Sequence, residues 1–346
     1  MARAAGFYLV PDARKPLYQG GVRVYRWRES TNEDTLSRRP SVIKSIRQIA
    51  VMVNDLEDTL ALYRRVLKME PCHQGDLSAY GLRNAVLPAG AGTFVELLQP
   101  TDASSAGSRF LQRRGEGTYL LILETDQYDS LLANLRAHGA RITRESKQPA
   151  YRSAFLHPGA VSGTLIEVIE TPQGHNPWPP AGEEWHRRAW NPLTKRIRQV
   201  AVLVRDLDAA VQQWQQLFGL QEGNRFHISF AGMDAAILPL PDGETCIELA
   251  QPTVPGSAAA RYFDKHGEGL YLLIFEVDSL ERVTAHLTEH KVEIAQRSIL
   301  APGYRGEFSS VWIHPRAMKG VFTQLSEVLV DDHHWPPAGE RWRKKR

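Results

Sequence analysis

Arg152 and Arg305 each follow a tyrosine, in the pairs Tyr151-Arg152 and Tyr304-Arg305, and each pair stands shortly before a His-Pro dipeptide, His157-Pro158 and His314-Pro315. A planar guanidinium grips a carboxylate or phosphate through two parallel N–H bonds. Either arginine therefore suits an acidic substrate or a coenzyme A tail at a pocket mouth; a surface arginine beside a packed tyrosine is the plainer reading. His227 can serve as a base, although a lone histidine on a strand is more often a satisfied core or rim residue. His157 and His314 sit in a recurrent turn and serve the fold. The two cysteines, Cys72 and Cys246, give neither a disulfide framework nor zinc-finger spacing, which points to a reducing cytoplasm.

The elements that position these residues follow from one repeated pattern. Residues 46–69 open on an apolar run, pass through Asn54-Asp55, and then place Leu56, Leu60, Tyr63, Val66 and Leu67 on one helical face. This is a strand, a cap and a one-faced helix. Residues 197–220 repeat it with Leu207, Val211, Trp214, Leu217 and Phe218. Weaker copies start at Thr118 and Leu270, each introduced by Gly-Glu-Gly, at 115–117 and 267–269. Such regularity is the mark of internal repeats. After the first helix, strands are expected at 78–81, 84–87 and 93–99, so the unit reads strand, helix, strand, strand, strand. Further strands are expected around 141–144, 153–157 and 163–170.

These units divide the chain into an N-terminal extension (1–41), a first double unit (42–172), a linker arm (173–195), a second double unit (196–331) and a C-terminal arm (332–346). Within the extension, 17–27 reads as a strand or an ordered arm. Trp-Pro-Pro-Ala-Gly-Glu occurs in both arms, at 178–183 and 335–340, and reads as packing against a domain surface.

The 346 residues are 42% hydrophobic and 23% charged, enough for two domains with cores. A net charge of +3 argues against nucleic acid as a partner, since phosphate binding needs a concentrated basic face. The N-terminus has no uninterrupted apolar core of a signal peptide, and no stretch approaches the length of a membrane span. A small-molecule ligand is the expected partner, on a monomer with an internal pseudo-dimer or on a homodimer.

The stretches I-R-Q-I-A-V-M-V-N-D-L, F-V-E-L-L-Q-P, R-G-E-G-T-Y-L-L-I-L-E-T-D, F-L-H-P and G-T-L-I-E-V-I-E, with counterparts in the same order in the second half, resemble the vicinal oxygen chelate superfamily, and within it glyoxalase and methylmalonyl-CoA epimerase sequences. The resemblance covers about 44–170 and 196–330. It implies an α+β fold of four βαβββ units, paired into two domains with open curved sheets around a divalent metal. The family's ligand positions match Gln48, Glu96, Leu120 (beside Tyr119) and Glu167 in the first half, and Gln199, Glu248, Leu272 (beside Tyr271) and Gln324 in the second. Both imidazoles are replaced in both halves. A site of this type rests on imidazole nitrogen and carboxylate oxygen, so the expectation is a degenerate site without bound metal. Gln48, Glu96 and Glu167 are the residues that a hard Mg²⁺, Mn²⁺ or Ca²⁺ would use in the first domain.

Two readings follow from the resemblance. In the first, Glu96 and Glu167 face one another, burial raises one pKa, and the pair moves protons next to a carbonyl, assisted by Tyr119. The protein is then an isomerase, epimerase or lyase for a small carbonyl acid or acyl thioester. Arg152, Arg305, Tyr271, Glu248 and His227 are its substrate-binding candidates. In the second reading the protein is a metal-free binding or sequestering module, using the apolar cavity around Leu120 and Leu272. An extradiol-type dioxygenase is disfavoured, because iron needs two histidines and a carboxylate.

Overall fold

The computed structural model describes residues 17–19, 22–24, 41–171, 177–296, 307–330, 334–339 and 342. The chain divides into two units, Met1–Ser37 and Arg38–Arg346. In the first unit, β1 (Leu17–Gln19) pairs antiparallel with β2 (Val22–Val24).

In the second unit the chain runs β3 (Ser45–Met52), α1 (Leu56–Leu67), β4 (His73–Leu77), β5 (Leu82–Gly90), β6 (Thr93–Pro100), α2 (Ala106–Arg114), β7 (Gly117–Glu124), α3 (Tyr128–Ala137), β8 (Ile142–Lys147), β9 (Arg152–Leu156) and β10 (Ile166–Glu170). It then repeats as β11 (Arg196–Leu203), α4 (Leu207–Phe218), β12 (Asn224–Ile228), β13 (Met233–Pro239), β14 (Cys246–Pro252), α5 (Ala258–His266), β15 (Gly269–Val277), α6 (Leu280–Glu289), β16 (Ile294–Gln296), β17 (Phe308–Ile313) and β18 (Phe322–Val328). Each half forms one eight-stranded sheet, in the orders β4-β5-β6-β3-β7-β10-β9-β8 and β12-β13-β14-β11-β15-β18-β17-β16. These are the two curled half-barrels expected of an α+β chain with paired βαβββ units.

α1 begins where expected. Asp55 accepts from the Asp58 backbone N–H, and the helix buries Leu56, Leu60, Tyr63, Val66 and Leu67. Alternation along the strands sends side chains to two faces. Ile49, Val51, Leu121, Leu123 and Val168 join the core shared with the helices. Ala50, Phe94, Leu120, Ile122 and Ile169 line the concave face, the cup, of the first half.

The halves meet reciprocally. The Ile46 N–H donates to Thr245 Oγ1 at 3.1 Å, and the Ile197 N–H donates to Thr93 Oγ1 at 2.8 Å. The Gly-Glu-Gly motifs belong to this seam. Glu116 Oε1 accepts from the Asn54 N–H, and Glu268 Oε1 from the Arg205 N–H, each at 2.8 Å. Their backbone carbonyls lie against glycines of the opposite half: a Cβ on Gly320 would stand 1.9 Å from Glu116 O, and one on Gly163 would stand 2.3 Å from Glu268 O.

Three expectations need correction. Residues 78–80 form a single 3₁₀ turn ending at Gly81 (φ 64°), and the strand precedes them at His73–Leu77. α2 and α5 are additional short helices, opened by Ser105 and Ser257, whose hydroxyls accept from the backbone N–H three residues on. The Trp-Pro-Pro segments do not lie on a domain surface. Trp178 is fully buried and Trp335 nearly so, each packed in the cup of its own half.

Candidate active site

Strand register builds the first cup from one row of residues. Arg144 pairs with Phe155, Phe155 with Glu167, Glu167 with Ile122, Ile122 with Gln48, and Gln48 with Phe94, across β8, β9, β10, β7, β3 and β6. Partners in register share a face. Glu96 sits beside the row, paired with Ala50 and Val86. In the second half the same row reads Gln296, Trp312, Gln324, Ile274, Gln199 and Cys246, with Glu248 beside it. Both carboxylates of the first cup survive as one in the second.

The buried amides are fixed by the arm. Trp178 Nε1 donates to Gln48 Oε1 at 2.9 Å, and Gln48 Nε2 donates to Glu96 Oε2 at 2.9 Å. An indole N–H can only donate, so it commits the Gln48 carbonyl and turns the Gln48 amide nitrogen to Glu96. Asn84 Nδ2 donates to the other oxygen, Glu96 Oε1, at 2.6 Å. It does so even though Asn84 Oδ1 is then without a partner among the described residues. In the second half Trp335 Nε1 donates to Gln199 Oε1 at 2.6 Å and Gln199 Nε2 to Glu248 Oε2. Ala235 occupies the place of Asn84, judged by the register of β13 on β14. Gln324 is enclosed by Ser310 and Ser326, donating to their hydroxyls at 3.0 and 2.9 Å.

Burial controls protonation. It pushes Glu167 up to about 8; the Ser153 hydroxyl opposes this, Glu96 adds to it, and Arg144 opposes it. Burial also raises Glu96, against the two amide donors. Glu248 is pushed up to about 7 by burial, with Gln199 opposing. Tyr151 is pushed up to about 12 by burial, then by Glu167, Tyr80 and Glu96. Burial thus favours the neutral form at both carboxyls, while the two amide N–H groups on Glu96 favour its ionised form.

The expected residues separate into two groups. Glu96 and Glu167 come together at the cup, with Gln48. Tyr119 is half-buried and stacks edge-to-face on Phe110 of α2, with ring centroids 5.0 Å apart; burial raises its pKa. Tyr271 packs on Tyr262 and is pushed up to about 12 by burial, then by Tyr262 and Glu248. Arg152 faces away from the cup. It donates to Glu170 and Asp129 and stacks on Tyr128, clamping β9 to α3. His227 is also outward: Phe226 packs at the cup, and His227, on the opposite face, hydrogen-bonds Asp234 at 2.6 Å. Arg305 and Tyr304 lie outside the described residues. The equivalence of the two Tyr-Arg pairs does not hold in register, since Ser309 pairs with Glu327 where Arg152 pairs with Glu170.

Four residues at the first cup were not singled out: Asn84, Tyr80, Arg144 and Trp178. Tyr151 was read only as packing. Alternation along β5 carried a signal for Asn84; on β8 a register shift between Ile142 and Arg144 breaks the alternation, and nothing local marked Trp178 as a cup residue.

The donor set does not fit a divalent ion between Gln48, Glu96 and Glu167. The Gln48 carbonyl accepts from an indole, and both Glu96 oxygens accept amide N–H groups. Among the described residues a different group, His286 and Glu289 of α6 and His290 that caps its C-terminus, brings one ligand atom from each within 4.8 Å. It lies at the seam rather than in a cup, with His286 Nε2 bonded to Arg65 O at 2.9 Å.

The sequence profile of the glyoxalase/bleomycin resistance protein/dioxygenase superfamily matches residues 47–155 and 198–307. The chain belongs to this superfamily. Among its relatives in the superfamily, the ethylmalonyl-CoA/methylmalonyl-CoA epimerase of Cereibacter sphaeroides is 26% identical over 134 residues, 38% of this chain and 98% of that protein. Bovine mitochondrial methylmalonyl-CoA epimerase is 30% identical over 127 residues, 36% of this chain and 72% of that protein. The lactoylglutathione lyase GLX1 of Arabidopsis thaliana is 25% identical over 175 residues, covering 50% and 54%. A mutant of 4-hydroxymandelate synthase from Streptomyces coelicolor shares the fold, with a TM-score of 0.67, 16% identity, and coverage of 84% and 93%. No helix among the described residues is long and apolar enough to cross a membrane.

Proposed function

We propose that the first half is a metal-independent proton-transfer site for a small carbonyl acid or acyl thioester, of the isomerase or epimerase type, and that the second half carries out no such chemistry. The observation that supports this reading most is the pair of rows. Glu167 and Asn84 in the first half stand where the second half has Gln324 and Ala235. The likeness to epimerases supports the reaction class.

The chemistry needs one ionised and one protonated carboxyl. Glu96, with an amide N–H on each oxygen, is the carboxylate that removes the proton α to the carbonyl, breaking the C–H bond and leaving an enolate. Glu167 is the neutral acid that returns a proton to that carbon from the other side, giving the inverted centre. The proton count balances, and the pair returns to its starting state after the reverse transfer between the two carboxyls or exchange with water. Tyr151, a hydroxyl that burial and both glutamates keep neutral, stabilises enolate oxygen in this scheme.

The test is inversion of a single epimer of methylmalonyl-CoA, followed in D₂O with protein stripped by EDTA. Wild type inverts the centre, and Glu167→Gln, with its fold intact by circular dichroism, does not, although Glu96 still exchanges the α-proton on its own face. Undiminished inversion by Glu167→Gln removes the proposal.

A second reading applies to the other half. Its cup is lined by Trp312, Ile274, Cys246 and Tyr271, with Glu248 as the carboxyl group beside them. That composition supports binding of an apolar ligand without conversion.

A further inference from the structure

We propose that Arg144 anchors the substrate of the first cup by binding a carboxylate that the substrate carries beyond its reacting carbon. This rests on the proton-transfer reading and narrows its substrate to carbonyl compounds with a second, anionic carboxylate, such as malonyl-type thioesters.

Three observations lead there. The first is position. Arg144, Phe155 and Glu167 are successive partners across β8, β9 and β10, so their side chains share the concave face. Adjacent strands lie about 4.8 Å apart, which puts the backbones of Arg144 and Glu167 roughly 10 Å from one another. One small molecule reaches both side chains.

The second is preorganisation. The guanidinium of Arg144 lies over the ring of Tyr80, 4.3 Å from its centroid, and Tyr80 in turn packs on Phe155 with ring centroids 6.1 Å apart. Both Tyr80 and Arg144 are exposed. A stacked guanidinium keeps its N–H edge directed outward, with less side-chain freedom to lose on binding. The nearby carboxylates are engaged elsewhere: Glu145 holds Arg136, while Glu170 and Asp129 hold Arg152. Among the described residues, none forms an ion pair with Arg144.

The third is the comparison inside the chain. The register position of Arg144 is Gln296 in the second half. The turn residue Tyr80, followed by Gly81 at φ +64°, corresponds to Ala231, followed by Gly232 at φ +64°. The half that lacks the acid at Glu167 thus also lacks the arginine, although an aromatic ring, Phe230, packs on Trp312 there as Tyr80 packs on Phe155. An anion held at Arg144 would leave the α-carbon and its carbonyl between Phe155 and the two glutamates.

The test is a calorimetric titration of the full chain with malonyl-CoA and with propionyl-CoA, which differ by the carboxylate. The expectation is that wild type binds malonyl-CoA about tenfold tighter or better, a difference of about 1.4 kcal/mol. Arg144→Gln, the residue type of the second half, is expected to lose that preference while keeping its propionyl-CoA affinity, and Arg144→Lys to keep part of it. Glu167→Gln is expected to keep the preference, so failure of the proton-transfer reading is read separately, in the inversion assay. The inference is overturned if wild type shows no preference, if Arg144→Gln retains it, or if Arg144→Gln weakens both ligands equally, which would place the arginine on the coenzyme A moiety.

Discussion

The indole of Trp178 and the side-chain amide of Gln48, 130 positions apart in the chain, meet at 2.9 Å inside the first cup. Trp335 and Gln199 repeat the contact in the second. The tryptophan brings a donor to the one atom of the glutamine that could otherwise have faced a metal. It thereby directs the amide nitrogen to Glu96 in one half and to Glu248 in the other. The Trp-Pro-Pro arm is thus part of the site that it closes.

Trp178→Phe keeps the bulk and removes the donor. The Gln48 carbonyl is then buried without a partner, and the expected loss of stability is about 1–3 kcal/mol. Chemical denaturation of wild type and variant measures it. Trp178→Ala, which also opens a cavity, is expected to cost more.

Stability should depend on pH with a definite sign. Glu167 and Glu248 are pushed up to about 8 and about 7 from an ordinary value of 4.5. Between 4.5 and those values the folded state binds more protons than the unfolded state, so stability falls as pH rises through this window. Denaturation midpoints at pH 5 and pH 8 should show the decline, and the double variant Glu167→Gln, Glu248→Gln should reduce it to the part that comes from Glu96. Turnover should likewise fall above about pH 8 as Glu167 loses its proton.

Gly320 and Gly163 hold the seam between the halves. Gly320→Ala would put a Cβ 1.9 Å from Glu116 O at a φ of +80°, where an L side chain is strained as well. Loss of folded protein, or a fall in melting temperature by several degrees, is expected for each glycine, whereas Gly139→Ala meets no atom within 4 Å and bears only the backbone strain of φ +69°.

Metal content offers another check. With the surface group removed by His290→Ala, protein purified without chelator should carry no stoichiometric zinc, nickel, cobalt or iron by elemental analysis. One equivalent lost on Glu96→Gln would place a metal in the first cup.

Most of the fold was legible because it rests on local signals: the cap at Asp55 and its counterpart Asp206, which accepts from the Ala209 N–H at the start of α4, the one-faced helices after them, and the glycine turns. The strand expected at 78–81 was displaced because Gly81 takes a left-handed turn that alternation cannot reveal. In the site, Glu96 and Glu167 were legible as carboxylates in apolar strands. Arg144 was not, since a charged residue on a half-exposed edge strand reads as solvated. The choice between Arg152 and Arg144 depended on which face of β8 and β9 is concave, a fact of register rather than of residue type. Trp178 was missed because its partner Gln48 is distant in sequence and nothing in Trp-Pro-Pro indicates what the indole meets.

The most direct measurement of the division of labour between the halves compares Glu167→Gln with Glu248→Gln in the inversion assay on EDTA-treated protein. The expected result is that inversion vanishes in Glu167→Gln and persists in Glu248→Gln. Inversion that survives in Glu167→Gln, or that is abolished by Glu248→Gln in a folded protein, contradicts the assignment of the chemistry to the first cup.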